Sequence, residues 1–303
     1  MGERVPAPCL KESTPERINL RGDGLVLAAD RWRGVPDQRG VIVLLPGGGQ
    51  TRHSWNRAAR ALSSRGWTAY TVDARGHGES EWAPRPMADY GIRAQAADLE
   101  SALRDIRDRD PGWTVLVGAS MGGMAAMAFA AAHPDDVGGL VLVDIAPTTE
   151  SAGTNRIKAF MSAGKRGFDT IGDAIDAVAE YRPGAPRRDA ASLRHNLRRG
   201  RDGRVYWHWD PEFHRPDNGL GDRARNRQML LTAAEQITTP TLVVRGAESD
   251  VVSAAGVTEL LGIMPHAEVV TIANAGHMVM GDDNANFVDA ALAFIENHVP
   301  DEQ

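Results

Sequence analysis

Gly118-Ala119-Ser120-Met121-Gly122 is where the sequence offers a nucleophile. A serine between two glycines, after an apolar run (TVLVG) and before a helical pattern (MAAMAFAAAH), has the form of a nucleophile elbow. In such a turn the serine backbone is strained and its hydroxyl stands clear. Strand and helix then approach too closely for side chains, so glycines are required at 118 and 122. The helix also aims its free N–H groups and positive dipole end at the reacting centre. A serine hydroxyl is inert without a base. With nine histidines in the chain, elimination is practicable. His133 ends a helical pattern before Pro134, His298 is in the tail, and His208 and His214 lie in a region without strands. His195 sits among arginines, which disfavour its protonated form. His277, in Asn-Ala-Gly-His-Met, follows the last predicted strand and is the expected base, in the chain order Ser…Asp…His.

A histidine base needs an acid that fixes its tautomer. Asp250, in Arg-Gly-Ala-Glu-Ser-Asp-Val-Val, is the expected acid, because its loop neighbours the strand leading to His277. Asp144 ends the run LVLVD and reads as a structural carboxylate anchoring the entry to an inserted lid. It is the alternative acid, since the acid's position can migrate between strands. An oxyanion hole needs backbone N–H donors where charge develops. Met121, the residue after the serine, supplies one. The second is expected from Pro46-Gly47-Gly48-Gly49-Gln50, with Gly48 first and Gly49 next, because glycine lets backbone approach a substrate oxygen. His53 and Trp55 either line the pocket or cap and pack a helix. Trp207 and Trp209, in Tyr206-Trp207-His208-Trp209-Asp210, either roof an apolar substrate or pin a lid to the core.

These residues need elements to hold them. Residues 41–45, 68–72, 114–118, 140–144, 241–245 and 267–272 read as strands, with helical patterns between most of them. Continuous apolar runs suit strands buried on both faces of a parallel sheet, and the alternation implies βαβ units. Before them, RINL and LVLAADRW form a hairpin around Gly22-Asp23-Gly24. From Pro147 to about Glu235 no buried strand is legible. That stretch, arginine-rich over 182–204, reads as a helical lid, its arginines a solvated face. The expected organisation is a core of 1–146 and 237–303 with a helical cap of 147–236 inserted after the sixth strand.

Taken together, Pro46-Gly47-Gly48-Gly49, Asp73-Ala74-Arg75-Gly76-His77-Gly78-Glu79-Ser80, Gly118 to Gly122, Ser249-Asp250 and Gly276-His277 resemble the α/β-hydrolase superfamily over residues 17 to 297. Within it the chain is similar to capped bacterial serine esterases, some of which act on lactones. The resemblance implies the α/β-hydrolase fold, with a mostly parallel central sheet flanked by helices, and places the RGHGES turn at the catalytic edge with His77 as a structural hydrogen-bonding residue. Where such proteins have His-Gly at the start of the oxyanion loop, this chain has Pro46. Proline fixes φ and removes a donor, so the loop is expected to be set differently there.

The expected function is therefore a cofactor-free serine hydrolase acting on a carboxylic ester or lactone through an acyl-enzyme. The alternatives are C–C bond hydrolysis or perhydrolysis on the same triad, or a small-molecule receptor. Serine at the elbow argues against dehalogenase and epoxide hydrolase chemistry, which use aspartate there. A net charge of -6 argues against bulk nucleic-acid binding. No apolar run is long enough for a membrane span, and the N-terminus has no apolar core of a signal peptide. No metal-ligand spacing or phosphate-binding fingerprint occurs. A single cysteine, Cys9, reads as a bystander and is compatible with a cytoplasmic protein. Monomer and homodimer are both expected possibilities.

Overall fold

The apolar runs of the sequence become the interior strands of one sheet. A computed structural model describes residues 14–34, 39–84, 89–183, 186–215, 219–282 and 284–299; Cys9 lies outside them. The strands are β1 (Glu16–Arg21), β2 (Val26–Trp32), β3 (Val41–Leu45), β4 (Thr68–Val72), β5 (Thr114–Ala119), β6 (Gly139–Val143), β7 (Leu197–Arg199), β8 (Val205–Trp207), β9 (Thr241–Gly246) and β10 (Glu268–Ile272). Eight of them form the sheet, in the order β1-β2-β4-β3-β5-β6-β9-β10. β1 and β2 pair antiparallel, as does β2 with β4. Every pairing from β4 across to β10 is parallel.

The helices are α1 (Asn56–Ser63), α2 (Ile92–Arg109), α3 (Met121–Ala132), α4 (Ser151–Ser162), α5 (Ile171–Tyr181), α6 (Ala190–Leu193), α7 (Arg223–Gln236), α8 (Ala254–Ile263), α9 (Val279–Asp282) and α10 (Asn284–His298). One face of the sheet is covered by apolar residues of α2, α3, α7 and α8, including Leu99, Leu103, Met127, Leu230 and Leu260. The other is covered by α1 and α10, through Ala58, Leu62, Phe287 and Ile295. Both faces are dry, which is why β3, β4, β5 and β6 are buried at every residue.

The excursion from the sheet begins after β6. It holds α4, α5, α6 and a two-stranded antiparallel piece, β7 with β8. That hairpin was not legible in the sequence. Each strand is three residues long, flanked by arginines, and turns through Gly200-Arg201-Asp202-Gly203. α7 falls inside the span expected for the cap, but Leu230 and Ala234 belong to the apolar layer under the sheet. Several arginines of 182–204 tie the cap to itself: Arg204 pairs with Asp169 at 2.7 Å and Arg198 lies 4.9 Å from the Tyr206 ring centre. Among the described residues no helix is long and apolar enough to cross a membrane.

The chain runs from β3 outward to β4, then returns to place β5 on the other side of β3. At such a reversal the loops after the two strands diverge and leave a crevice at their C-terminal ends. The loop after β3 is the glycine loop, and the turn after β5 carries Ser120. The two are packed tightly. A Cβ on Gly122 would come within 2.5 Å of the Leu45 carbonyl oxygen, and one on Gly118 within 2.6 Å of the Gly122 oxygen. Gly122→Ala is therefore expected to push α3 off β3. The cost should be about 1–3 kcal/mol, typical of an overpacked site, measured as a lowered Tm with reduced activity.

Candidate active site

Ser120 is held at φ 46° and ψ -112°, a region that L residues avoid. It is fixed there by its own N–H, which donates to the Val143 carbonyl at 3.1 Å, and by the start of α3 at Met121. A Cβ on Gly47 would lie 3.5 Å from the Ser120 Cβ, so the glycine loop touches the elbow.

His277 lies in the loop between β10 and α9. Its Nδ1 is 2.7 Å from Asp144 Oδ2. A carboxylate only accepts, so Nδ1 carries the proton and Nε2 keeps a lone pair, as a general base requires. The Asp144 side chain is fully buried. Its Oδ1 accepts the Gly246 N–H at 3.0 Å, and its Oδ2 also accepts the Ser249 hydroxyl at 2.6 Å. With the bond to His277, these contacts occupy both carboxylate oxygens and fix the side chain's orientation.

The expectation that Asp250 serves His277 is thus corrected. Asp250 turns outward and pairs with Arg156 of α4 at 2.8 Å, its side chain more than a third exposed. Asp144 reaches His277 because its own backbone is bent to φ 48° at the end of β6, with its N–H on the Val244 carbonyl. That bend swings the carboxylate across β9 toward the His277 loop. Ser249, which the sequence reading quoted only as Asp250's neighbour, is the residue of that loop that joins the site. Its Oγ accepts the N–H groups of Val251 and Val252 and so donates its proton to Asp144.

The three glycine amides of the loop after β3 are not equivalent. Gly47 N–H donates to Gln50 Oε1 at 3.2 Å, and Gly49 N–H to His77 Nε2 at 3.1 Å. His77 Nδ1 lies 3.0 Å from the Arg75 carbonyl, which fixes its proton on Nδ1 and frees Nε2 to accept. Among the described residues, Gly48 N–H has no acceptor. Met121 is the first residue of α3, where a helix leaves its N–H unpaired. The Gly48 position lies against Met121, a Cβ there falling 3.7 Å from Met121 Sδ, so the two amides without acceptors belong to neighbouring residues. Gly49, the second expectation for the loop donor, has its amide committed to His77.

A strained serine after β5, a histidine after β10 and a glycine loop after β3 share the C-terminal edge of the sheet. The sequence profile described as "alpha/beta hydrolase fold" matches residues 40–283. The chain is an α/β-hydrolase. Esterase Rv0045c of Mycobacterium tuberculosis is 32% identical over 280 residues, covering 89% of this chain and 86% of that protein. The sn-1-specific diacylglycerol lipase ABHD11 of Mus musculus is 30% identical over 84% of this chain and 80% of its own length. The crystal structure of E-2-(acetamidomethylene)succinate hydrolase superposes with a TM-score of 0.77 at 25% identity, covering 93% of this chain and all of that one.

In this α/β-hydrolase the cap sits directly on the glycine loop. A methyl group placed on Gly48 would lie 3.6 Å from the Phe213 ring and 3.7 Å from Met121 Sδ; on Gly49 it would meet Met161 at 3.2 Å and Trp209 at 3.3 Å. Trp209, for which roofing a substrate and pinning the lid were both open, is thus beside the loop. Trp207 is one layer further back, stacked on Trp209 with ring centres 5.1 Å apart and its Nε1–H on the Ala163 carbonyl. Trp55, for which lining the pocket and packing a helix were both open, is fully buried and packs against Phe287 of α10, ring centres 5.7 Å apart.

His53 joins core to cap: its ring lies against that of His195, centres 3.8 Å apart and planes tilted by 36°. Burial, then the charge of Arg52 and the neighbouring His195, lower its pKa from 6.5 to about 4, while Glu79 opposes this and Asp30 Oδ2 lies 3.8 Å from Nδ1. Above pH 6.5 the imidazole is neutral in both folded and unfolded chain. Below it the unfolded chain binds a proton that the folded chain refuses, so stability falls as pH drops from 6.5 toward 4. His53→Gln is expected to flatten that acid limb in a Tm-against-pH series, leaving Tm above pH 7 little changed. An equally steep limb would show that His53 does not contribute to it.

Proposed function

We propose that this α/β-hydrolase cleaves a carboxylic ester or lactone through an acyl-enzyme. Ser120 is the nucleophile, His277 the general base, Asp144 the orienting acid, and the amides of Met121 and Gly48 the oxyanion donors. Ser120 Oγ attacks the carbonyl carbon as His277 Nε2 takes its proton. The tetrahedral oxyanion is held by the two N–H groups. His277 then gives the proton to the leaving alkoxide and the C–O bond breaks. Water, deprotonated by the same nitrogen, attacks the acyl-enzyme and releases the acid and free Ser120. Asp144 stabilises each imidazolium that forms.

The observation that carries this reading is the 2.7 Å bond from His277 Nδ1 to the buried carboxylate of Asp144. It leaves Nε2 basic, on the same sheet edge as a serine in strained geometry. The esterase and lipase relatives favour ester chemistry, and the apolar roof of Phe213, Met161 and Trp209 favours an uncharged acyl group. A panel of p-nitrophenyl esters of increasing chain length and of simple lactones, with Ser120→Ala as blank, tests it. Ser120-dependent turnover of apolar acyl esters or lactones is expected. Absence of turnover across both panels, in a protein that still reacts at Ser120, would move the chemistry to another bond.

A further inference from the structure

Pro46 leaves the oxyanion loop without the side chain that usually opens it, and among the described residues the Gly48 amide has no acceptor. The structure assigns its organisation to a residue downstream. Gln50 grips the loop at both ends of Gly47: its backbone N–H donates to the Gly47 carbonyl at 3.1 Å, and its side-chain Oε1 accepts the Gly47 N–H at 3.2 Å. The other half of the same amide reaches out of the loop. Gln50 Nε2 lies 3.0 Å from Sδ of Met278, the residue after the histidine. A thioether is a weak acceptor, but this contact spans 228 residues and joins two elements that no strand pairing joins. On the far side, His77 Nε2 takes the Gly49 amide. With its neighbours occupied, the Gly48 amide is the one left to face the substrate.

We infer that Gln50 is a positioning residue: it sets the Gly48 amide for the oxyanion and fixes the spacing between the oxyanion loop and the His277 loop. This rests on the ester-hydrolysis reading above. Its side chain does not touch the reacting atoms. It acts through Gly47 on one side and Met278 on the other. The physical demand is strict, because a donor works only at 2.7–3.1 Å from where the oxyanion forms. A glycine loop without side-chain restraints samples many conformations.

Two variants separate the bonds. Gln50→Met keeps the side chain's length and removes both of its hydrogen bonds. Met278→Leu removes only the sulfur acceptor. With the best p-nitrophenyl ester, Gln50→Met is expected to lower kcat about tenfold with KM within about twofold, less than the loss of an entire oxyanion donor. A trifluoromethyl ketone, which forms the oxyanion when bound to a serine, should lose affinity by the same factor, while binding of the product acid stays unchanged. Met278→Leu should show the same split at a smaller amplitude, and adding it to Gln50→Met should cost nothing more. If Gln50→Met does not fold, Met278→Leu alone carries the ketone-against-acid comparison.

Parent-like kcat and ketone affinity in both variants overturn the inference and leave the ester-hydrolysis reading intact. So does an equal loss of ketone and acid binding, which marks a general disturbance of the pocket. A parent protein whose Ser120 accepts no ketone overturns both.

Discussion

Ser120→Ala is expected to lower kcat by about a millionfold, close to the level left when the whole triad of a serine hydrolase is removed. The size follows from how the site is built. Gly118 and Gly122 let β5 and α3 close on the elbow, and the strain at φ 46° holds one side chain, Ser120, at the crevice between the glycine loop and the His277 loop. Alanine fits the same backbone, so the fold and Tm should be retained and the loss should be chemical. Residual rate would come from the oxyanion donors and substrate binding alone. A fall in Tm with the activity would instead mean that the hydroxyl also supports the turn.

Asp144→Asn is expected to cost about 10⁴ in kcat, and Asp250→Asn less than about threefold. An amide at 144 presents an N–H where a carboxylate stood. It leaves His277 Nδ1 without its acceptor and favours the tautomer that carries a proton on Nε2, which cannot take the serine's proton. The Gly246 N–H and Ser249 hydroxyl would compete for the one remaining oxygen. Asp250 by contrast loses only a half-exposed pair with Arg156, worth roughly 0–1 kcal/mol of stability. Steady-state kinetics on the two variants beside the parent check this directly. Equal losses, or a larger loss at 250, would return the orienting role to the β9 loop.

These two aspartates also mark where sequence reading stops. The elbow was legible because its chemistry is local: five residues, a strand before and a helix after. The interior strands were legible because burial on both faces leaves an unbroken apolar run. Which strand-end carboxylate meets His277 is a question about a bend at Asp144 and a reach of 133 residues, and neither leaves a local pattern. Ser249-Asp250 signalled the right loop, but Ser249 is the residue turned into the site. In the cap, three-residue strands carry too little periodicity to read. Trp55 and Trp209 have the same side chain, yet one is buried against Phe287 and the other sits over Gly49. Pro46 signalled an unusual oxyanion loop, but the compensating bonds of Gln50 and His77 appear only in three dimensions.

The account stands on Ser120 being activated by His277. Treating the protein with a fluorophosphonate, then mapping the adduct by mass spectrometry, tests this most directly. One adduct per chain is expected, on Ser120, forming far more slowly in His277→Gln and absent in Ser120→Ala. An adduct on another residue, or labelling of Ser120 at the parent rate in His277→Gln, would contradict it.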